Sequence, residues 1–213
     1  MNTGDTAFMM ICAALVFFMT PGLAFFYGGL VRRKNVCNTI MACVAIMGLS
    51  VVMWTLFGYS LSFGGNHAGI IGDFRWFGLN GVGMEAGPYA DSIPHLVFCA
   101  FQMMFAMITP ALITGSLVGR MKFKALFLFV AIWSVIVYYP MTHMVWGDGG
   151  FLAAIGSVDF AGGDVVHISS GISALVLAII LGRRRGYEHT TYRIHNIPSV
   201  VLGASLLWFG WFG

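Results

Sequence analysis

Asp159-Phe160-Ala161-Gly162-Gly163-Asp164-Val165-Val166-His167-Ile168-Ser169-Ser170-Gly171 opens the stretch that decides the fold, and the stretch closes on Gly182-Arg183-Arg184. From Val165 to Gly182, 18 residues pass without an Asp, Glu, Lys or Arg. About 20 residues at 1.5 Å each cross a hydrocarbon core of about 30 Å, so this run reads as a membrane span. Five further runs of the same kind occupy Thr6 to Val31, Val36 to Phe63, Ser92 to Gly119, Ala125 to Gly147 and Ile194 to Gly213. They account for a mean hydropathy of +0.86 over 213 residues. With 59% hydrophobic and 9% charged residues, against about 25% charged in an ordinary soluble domain, a water-soluble globule is excluded. The expected class is an all-α membrane protein in a single transmembrane domain, with spans near 6–31, 36–63, 92–119, 125–147, 162–182 and 194–213.

Charge placement orders these spans. Ten of the eleven basic residues cluster at Arg32 to Lys34, Arg120 to Lys124 and Arg183 to Arg193, between spans 1 and 2, 3 and 4, and 5 and 6. Seven of the eight acidic residues lie on the opposite connections; Arg75 and Glu188 are the exceptions. Lys and Arg in short loops mark the cytoplasmic side, which places the N-terminus outside and the net charge of +3 on the inner face rather than on a nucleic acid. No basic region precedes the first span and Asp5 stands at its start, so it is expected to be retained rather than cleaved as a signal peptide. The Gly-rich connection from Gly64 to Asp91 suits an irregular outer loop. Pro110 is expected to kink span 3, and the runs Phe26 to Gly29 and Trp208 to Gly213 permit close helix contact.

Ionisable groups at membrane depth are costly and so mark a pathway or a site. His95 and His143 fall near span ends, where the interfacial headgroup level tolerates them. His167 lies 16 residues before Arg183, about 24 Å along a helix from the inner boundary; it is either a pore residue or a hydrogen-bonding group between helices. Asp159 precedes a helical stretch, where its carboxylate can cap the orphan N–H groups and also draw cations. Phe101 and Phe105, at i and i+4, share one face of span 3 while Gln102 points elsewhere, and Trp146 ends span 4. Aromatic faces in a pore hold a cation by about 0.5 to 2 kcal/mol each. Cys12, Cys37, Cys43 and Cys99 lack paired metal or redox spacing and read as small packing residues.

These residues together resemble the ammonium transporter family (Amt), with the Rhesus proteins as distant relatives. The Asp159 to Gly171 run closing on Gly182-Arg183-Arg184 resembles the family signature. Phe101-Gln102-Met103-Met104-Phe105-Ala106-Met107-Ile108-Thr109-Pro110-Ala111-Leu112-Ile113 resembles its third helix, and Pro21-Gly22-Leu23-Ala24-Phe25-Phe26-Tyr27-Gly28-Gly29-Leu30-Val31-Arg32 its first. The resemblance implies recruitment of ammonium by Phe105 and Trp146 beside Phe101, a gate that includes Phe105, a buried carboxylate at Asp159 and a pore histidine at His167. It implies a channel that deprotonates the ion and passes ammonia, a multi-pass cell-membrane location, a homotrimer, and a cytoplasmic PII-type signalling protein docking on Arg183 to Arg193. The family fold has eleven spans in two inverted five-helix repeats. This sequence supplies the first repeat plus one helix, so it is expected to be part of a longer chain, with the second gate phenylalanine and partner histidine beyond it. A competing reading is a membrane haem protein ligated by pairs such as His95 and His167. No His-Glu-x-x-His motif supports a metalloprotease.

Overall fold

A computed structural model describes residues 1–184, 187, 191 and 193–213. Among them five helices are long and apolar enough to cross a membrane: α1 (Thr3–Leu30), α2 (Arg33–Phe63), α3 (His95–Leu117), α4 (Phe123–Ala154) and α5 (Gly163–Leu181). A shorter apolar helix, α6 (Ile197–Gly210), follows with 14 residues, about 21 Å at 1.5 Å per residue. The chain's ends and turns explain the boundaries. The Asn2 side chain accepts the Gly4 and Asp5 amides to start α1. Asn196 accepts the Ser199 amide to start α6, where Pro198 costs no helical hydrogen bond. Gly182 stops α5 at φ +67°, a left-handed conformation that glycine adopts without a Cβ clash.

Apolar side chains point outward as well as inward, as a lipid environment allows. Leu128, Ile132 and Ile136 on α4, and Ile172, Leu175 and Ile179 on α5, are exposed. The interior is instead built from large aromatics, with Trp54, Tyr59, Tyr138, Tyr139 and Phe63 all almost fully buried. Without a hydrophobic drive between helices, close packing has to supply the contact. Gly22 and Gly203 do this between α1 and α6: a Cβ on Gly22 would stand 2.8 Å from Leu206 Cβ and 3.2 Å from the Gly203 carbonyl. Gly29 accepts the His195 and Asn196 amides at 3.0 Å each, tying the start of α6 to the end of α1.

Three of the spans contain a wide π-type turn, at Trp54–Gly58 in α2, Ser134–Tyr138 in α4 and Gly163–Ile168 in α5. Trp54 and Tyr59 meet with ring centroids 5.7 Å apart, and Trp133 and Tyr138 at 6.3 Å. Gly58 leaves room for Tyr139, whose ring would lie 2.6 Å from an added Cβ. By contrast α3 runs unbroken through Pro110, so the interruption of regular helix falls at these turns rather than at that proline.

The connection between α2 and α3 is largely irregular, as its glycines suggest. It ends in a small antiparallel hairpin, β1 (Ala86–Gly87) with β2 (Ala90–Pro94), so that Ser92 to Pro94 belong to a strand and α3 begins at His95. Asn2 donates its amide to Ser92 O at 2.7 Å, holding the start of α1 against this hairpin. Asp73 accepts the Gly65 and Arg75 amides at 3.0 Å each and pairs with the Arg75 guanidinium. Partial burial pushes the Asp73 carboxyl up, but the amides of Arg75 and Gly65 and the Arg75 charge outweigh it and hold it below its ordinary value. Cys12, Cys43 and Cys99 are buried packing residues, whereas Cys37 is exposed.

Candidate functional site

The candidate residues come from three helices and one loop. Phe101 and Phe105 on α3 stand one turn apart and meet edge to face at 5.1 Å. Phe105 in turn meets Trp146 of α4 edge to face at 6.0 Å. The Trp146 indole N–H donates to the Asp159 carbonyl at 2.9 Å, so the aromatic row is fastened to the loop before α5. All four of these residues are partly buried, leaving some of each ring accessible.

Asp159 caps α5 more completely than an ordinary N-cap. One carboxylate oxygen accepts the amides of Gly162 at 2.6 Å and Gly163 at 2.8 Å; the other accepts Asp164 at 2.8 Å and Val165 at 2.9 Å. These four amides are the donors a helix start leaves without partners. The geometry requires Gly162 at φ +94°, a backbone conformation that side chains rarely adopt. Asp164 meanwhile accepts the Ser157 hydroxyl at 2.5 Å, closing the same loop from its other side. The Asp159 carboxylate thus offsets the positive N-terminus of α5, and the faces of Phe101, Phe105 and Trp146 stand beside it. Aromatic faces of this kind are able to hold a small cation.

His167 lies within the wide first turn of α5, its amide bonded to the Gly162 carbonyl at 2.9 Å. It is exposed on the described chain, on the same helix as the exposed Ile168 and Ile172. Gln102, beside Phe101, has a buried Oε1 with no partner among the described residues.

His95 and His143 lie near helix ends, as expected, but are buried within the protein: His95 is 6% exposed and His143 0% exposed. His95 Nε2 shares a hydrogen bond of 2.6 Å with the Tyr59 hydroxyl, and Trp76 lies edge-on to its ring at 4.8 Å. His143 Nδ1 faces Ser62 O at 3.0 Å and Nε2 faces Asn66 Oδ1 at 3.3 Å. Asn66 is oriented by its own bonds, Oδ1 accepting the Gly69 amide at 2.6 Å and Nδ2 donating to Gly149 O at 2.9 Å. These partners were not visible in the sequence.

The haem reading loses support here, because His95 is committed to Tyr59 while His167 is exposed. Among the described residues no group of three or more His, Cys, Asp or Glu could hold a metal ion.

The spans define a multi-pass helical membrane protein, with an aromatic row fastened to the start of α5. The sequence matches the Ammonium Transporter Family over residues 7–213, and the chain belongs to that family. It is 50% identical over 213 residues to the ammonium transporter of Bacillus subtilis (strain 168), covering 100% of this chain and 52% of that protein. It is 49% identical over 218 residues to the ammonium transporter of Aquifex aeolicus (strain VF5), covering 100% and 49%. Crystal structures of Mep2 superpose closely. The N240A mutant from Candida albicans matches with a TM-score of 0.89 at 32% identity, over 100% of this chain and 47% of that one. Mep2 from Saccharomyces cerevisiae gives 0.85 at 35% identity, over 96% and 48%. The chain thus spans about half the length of the curated relatives it matches.

Proposed function

We propose that this chain forms the ammonium-recruiting half of a transmembrane ammonium transporter or channel in the cell membrane, with its N-terminus outside. The observation that carries the reading is the Phe101, Phe105 and Trp146 row fastened through the Trp146 indole to Asp159. In this reading Phe105 and Trp146, beside Phe101, hold NH4+ through their π faces, and the Asp159 carboxylate both fixes the recess and raises local cation concentration.

Ammonium and potassium carry the same charge at similar size, so a plain cation site separates them poorly. A narrow apolar passage that admits only the neutral species separates them well. The ion therefore gives up its proton before the passage, where Phe105 forms part of the gate. His167 lines the passage beyond, because imidazole both donates and accepts a proton. The rest of the passage, including a second gate aromatic and a partner histidine, belongs to the remainder of the complete protein. A homotrimer with one passage in each subunit completes the proposal.

Uptake of methylammonium by the complete protein tests the recruitment step. Trp146→Leu removes one cation–π contact of about 0.5 to 2 kcal/mol, so half-saturation should rise by about 2- to 30-fold. Trp146→Phe, which keeps a π face, should stay nearer the wild type. An unchanged low-concentration rate in the Leu variant would remove Trp146 from the site.

The loop from Arg183 to Arg193 carries the second proposal, docking of a PII-type signalling protein on basic residues. Arg185, Gly186, Glu188, His189, Thr190 and Tyr192 of that loop lie outside the described residues. A pull-down with the host's PII protein should weaken when Arg183, Arg184 and Arg185 are replaced together. Equal binding would leave the loop as a positive-inside anchor only.

A further inference from the structure

Trp146 stands one helical turn beyond His143 and just ahead of the tight turn Gly147-Asp148-Gly149-Gly150. Its indole meets Phe105 at 6.0 Å and donates to Asp159 O at 2.9 Å. A side chain leaves its helix in a direction set by the backbone beneath it. Whatever holds the backbone on either side of Trp146 therefore aims the indole.

The connection between α2 and α3 grips that backbone on both sides. Ahead of Trp146, His143 Nδ1 faces Ser62 O at 3.0 Å and Nε2 faces Asn66 Oδ1 at 3.3 Å. Beyond it, Asn66 Nδ2 donates to Gly149 O at 2.9 Å, and the Phe151 amide donates to Gly69 O at 2.8 Å. The Asp148 amide donates to the Tyr89 hydroxyl at 3.0 Å. Asn66 thus touches both sides at once, bridging His143 to Gly149 across Trp146. Its amide cannot be turned over: Oδ1 also accepts the Gly69 amide at 2.6 Å, so exchanging oxygen for nitrogen would set donor against donor there and acceptor against acceptor at Gly149. The fit is close as well. A Cβ on Gly149 would collide with Asn66 Nδ2, and Gly149 adopts φ +71°, a conformation suited to glycine.

We propose that Asn66 is a positioning residue for Trp146: by joining His143 to Gly149 it fixes the outer end of α4 at the angle that turns the indole toward Phe105 and Asp159. Its effect on ammonium rests on the reading of Trp146 as a recruiting residue, whereas its effect on the position of the indole does not. Asn66 and Gly149 are both exposed, so water can satisfy the Gly149 carbonyl when the Asn side chain is removed. The link across Trp146 is lost while the spans remain packed.

The test uses the complete protein labelled with 5-fluorotryptophan, the Trp146 fluorine resonance being assigned by its loss in Trp146→Phe, together with methylammonium uptake by the same variants. Asn66→Ala should shift the Trp146 resonance while those of the buried Trp54 and Trp133 stay in place. It should also raise half-saturation with the maximal rate kept, within the range of about 2- to 30-fold available to Trp146 itself. In the Trp146→Leu background the same change should add nothing. Asn66→Ser has a hydroxyl that can still accept the Gly69 amide but is too short to bridge His143 to Gly149, so it should shift the Trp146 resonance too and separates the bridge from the order of the loop. A Trp146 resonance unchanged in both Asn66 variants overturns the proposal. Equal rises of half-saturation with and without Trp146 overturn it, as do Trp54 and Trp133 shifts as large as that of Trp146, which would mark a general loosening of the fold. If Trp146→Leu leaves half-saturation unchanged, the recruitment reading falls, and the fluorine resonances alone decide whether Asn66 positions the indole.

Discussion

Replacing Asp159 by Asn removes the charge and half of the cap at the start of α5. Each carboxylate oxygen of Asp159 accepts two backbone amides, at 2.6 and 2.8 Å and at 2.8 and 2.9 Å. An Asn side chain has one acceptor oxygen and one donor group. Whichever way it turns, two amides at the start of α5 face an NH2 and lose their acceptor. A donor left unsatisfied costs about 1 to 3 kcal/mol, and the exposed Gly163 lets water replace some of the loss, so about 2 kcal/mol is the expected penalty. The curated relatives are about twice as long as this chain, and at about 1 °C per kcal/mol for that size the melting temperature of the complete protein should fall by about 2 °C. The assay is thermal unfolding of the complete protein in detergent, followed by tryptophan fluorescence, alongside methylammonium uptake. Uptake should fall as well, since the variant also lacks the charge. A melting temperature within about 0.5 °C of wild type would refute the four-amide cap as a structural element, because even the lowest penalty predicts a larger shift. Normal melting together with normal uptake would leave the charge without a role too.

His167→Asp in the complete protein should gain potassium permeability and lose discrimination for ammonium, because a fixed negative charge in a passage stabilises a cation that a neutral imidazole does not; potassium current measured beside ammonium uptake checks it, and unchanged selectivity in a well-expressed variant would place His167 outside the passage. For Asp73 the folded carboxyl lies below its ordinary value of 3.8, so its contribution is complete above that value and is lost as pH falls through the lower, folded pKa. Thermal stability of wild type should therefore drop more steeply than that of Asp73→Asn as pH is lowered beneath the ordinary carboxylate range, and parallel slopes would show that the Arg75 and Gly65 contacts carry no charge-dependent stability.

How much could be read beforehand depended on how local the cause was. The spans follow from long runs without charge, so their presence is written directly in the sequence. The Phe101 and Phe105 contact follows from i, i+4 spacing, and the Asp159 cap from a carboxylate just ahead of a helix. Proximity to a span end gave no sign that His95 and His143 are buried. Their burial depends on Tyr59, 36 positions away from His95, and on Asn66 and Ser62, 77 and 81 positions away from His143. The bond from Trp146 to Asp159 spans 13 positions across the end of α4 and the loop before α5, and no periodicity encodes it. The wide turns are equally silent, since Trp54-Thr55-Leu56-Phe57-Gly58 and Ser134-Val135-Ile136-Val137-Tyr138 contain no proline to announce them.

Those wide turns act as rotary offsets along the spans. On a regular helix, residues five apart point about 140° away from one another, yet Trp54 meets Tyr59 and Trp133 meets Tyr138. Each turn accommodates one residue more than a regular helix would, which advances everything beyond it by about 100°. Tyr139, which packs against both Trp54 and Phe57, faces α2 only because such an offset precedes it. Trp146 lies further along the same span, so the direction in which the recess opens is set some two turns below it. Shortening α4 by a single residue at Ser134 to Tyr138 would leave every residue of the recess in place in the sequence and turn Trp146 away from Phe105.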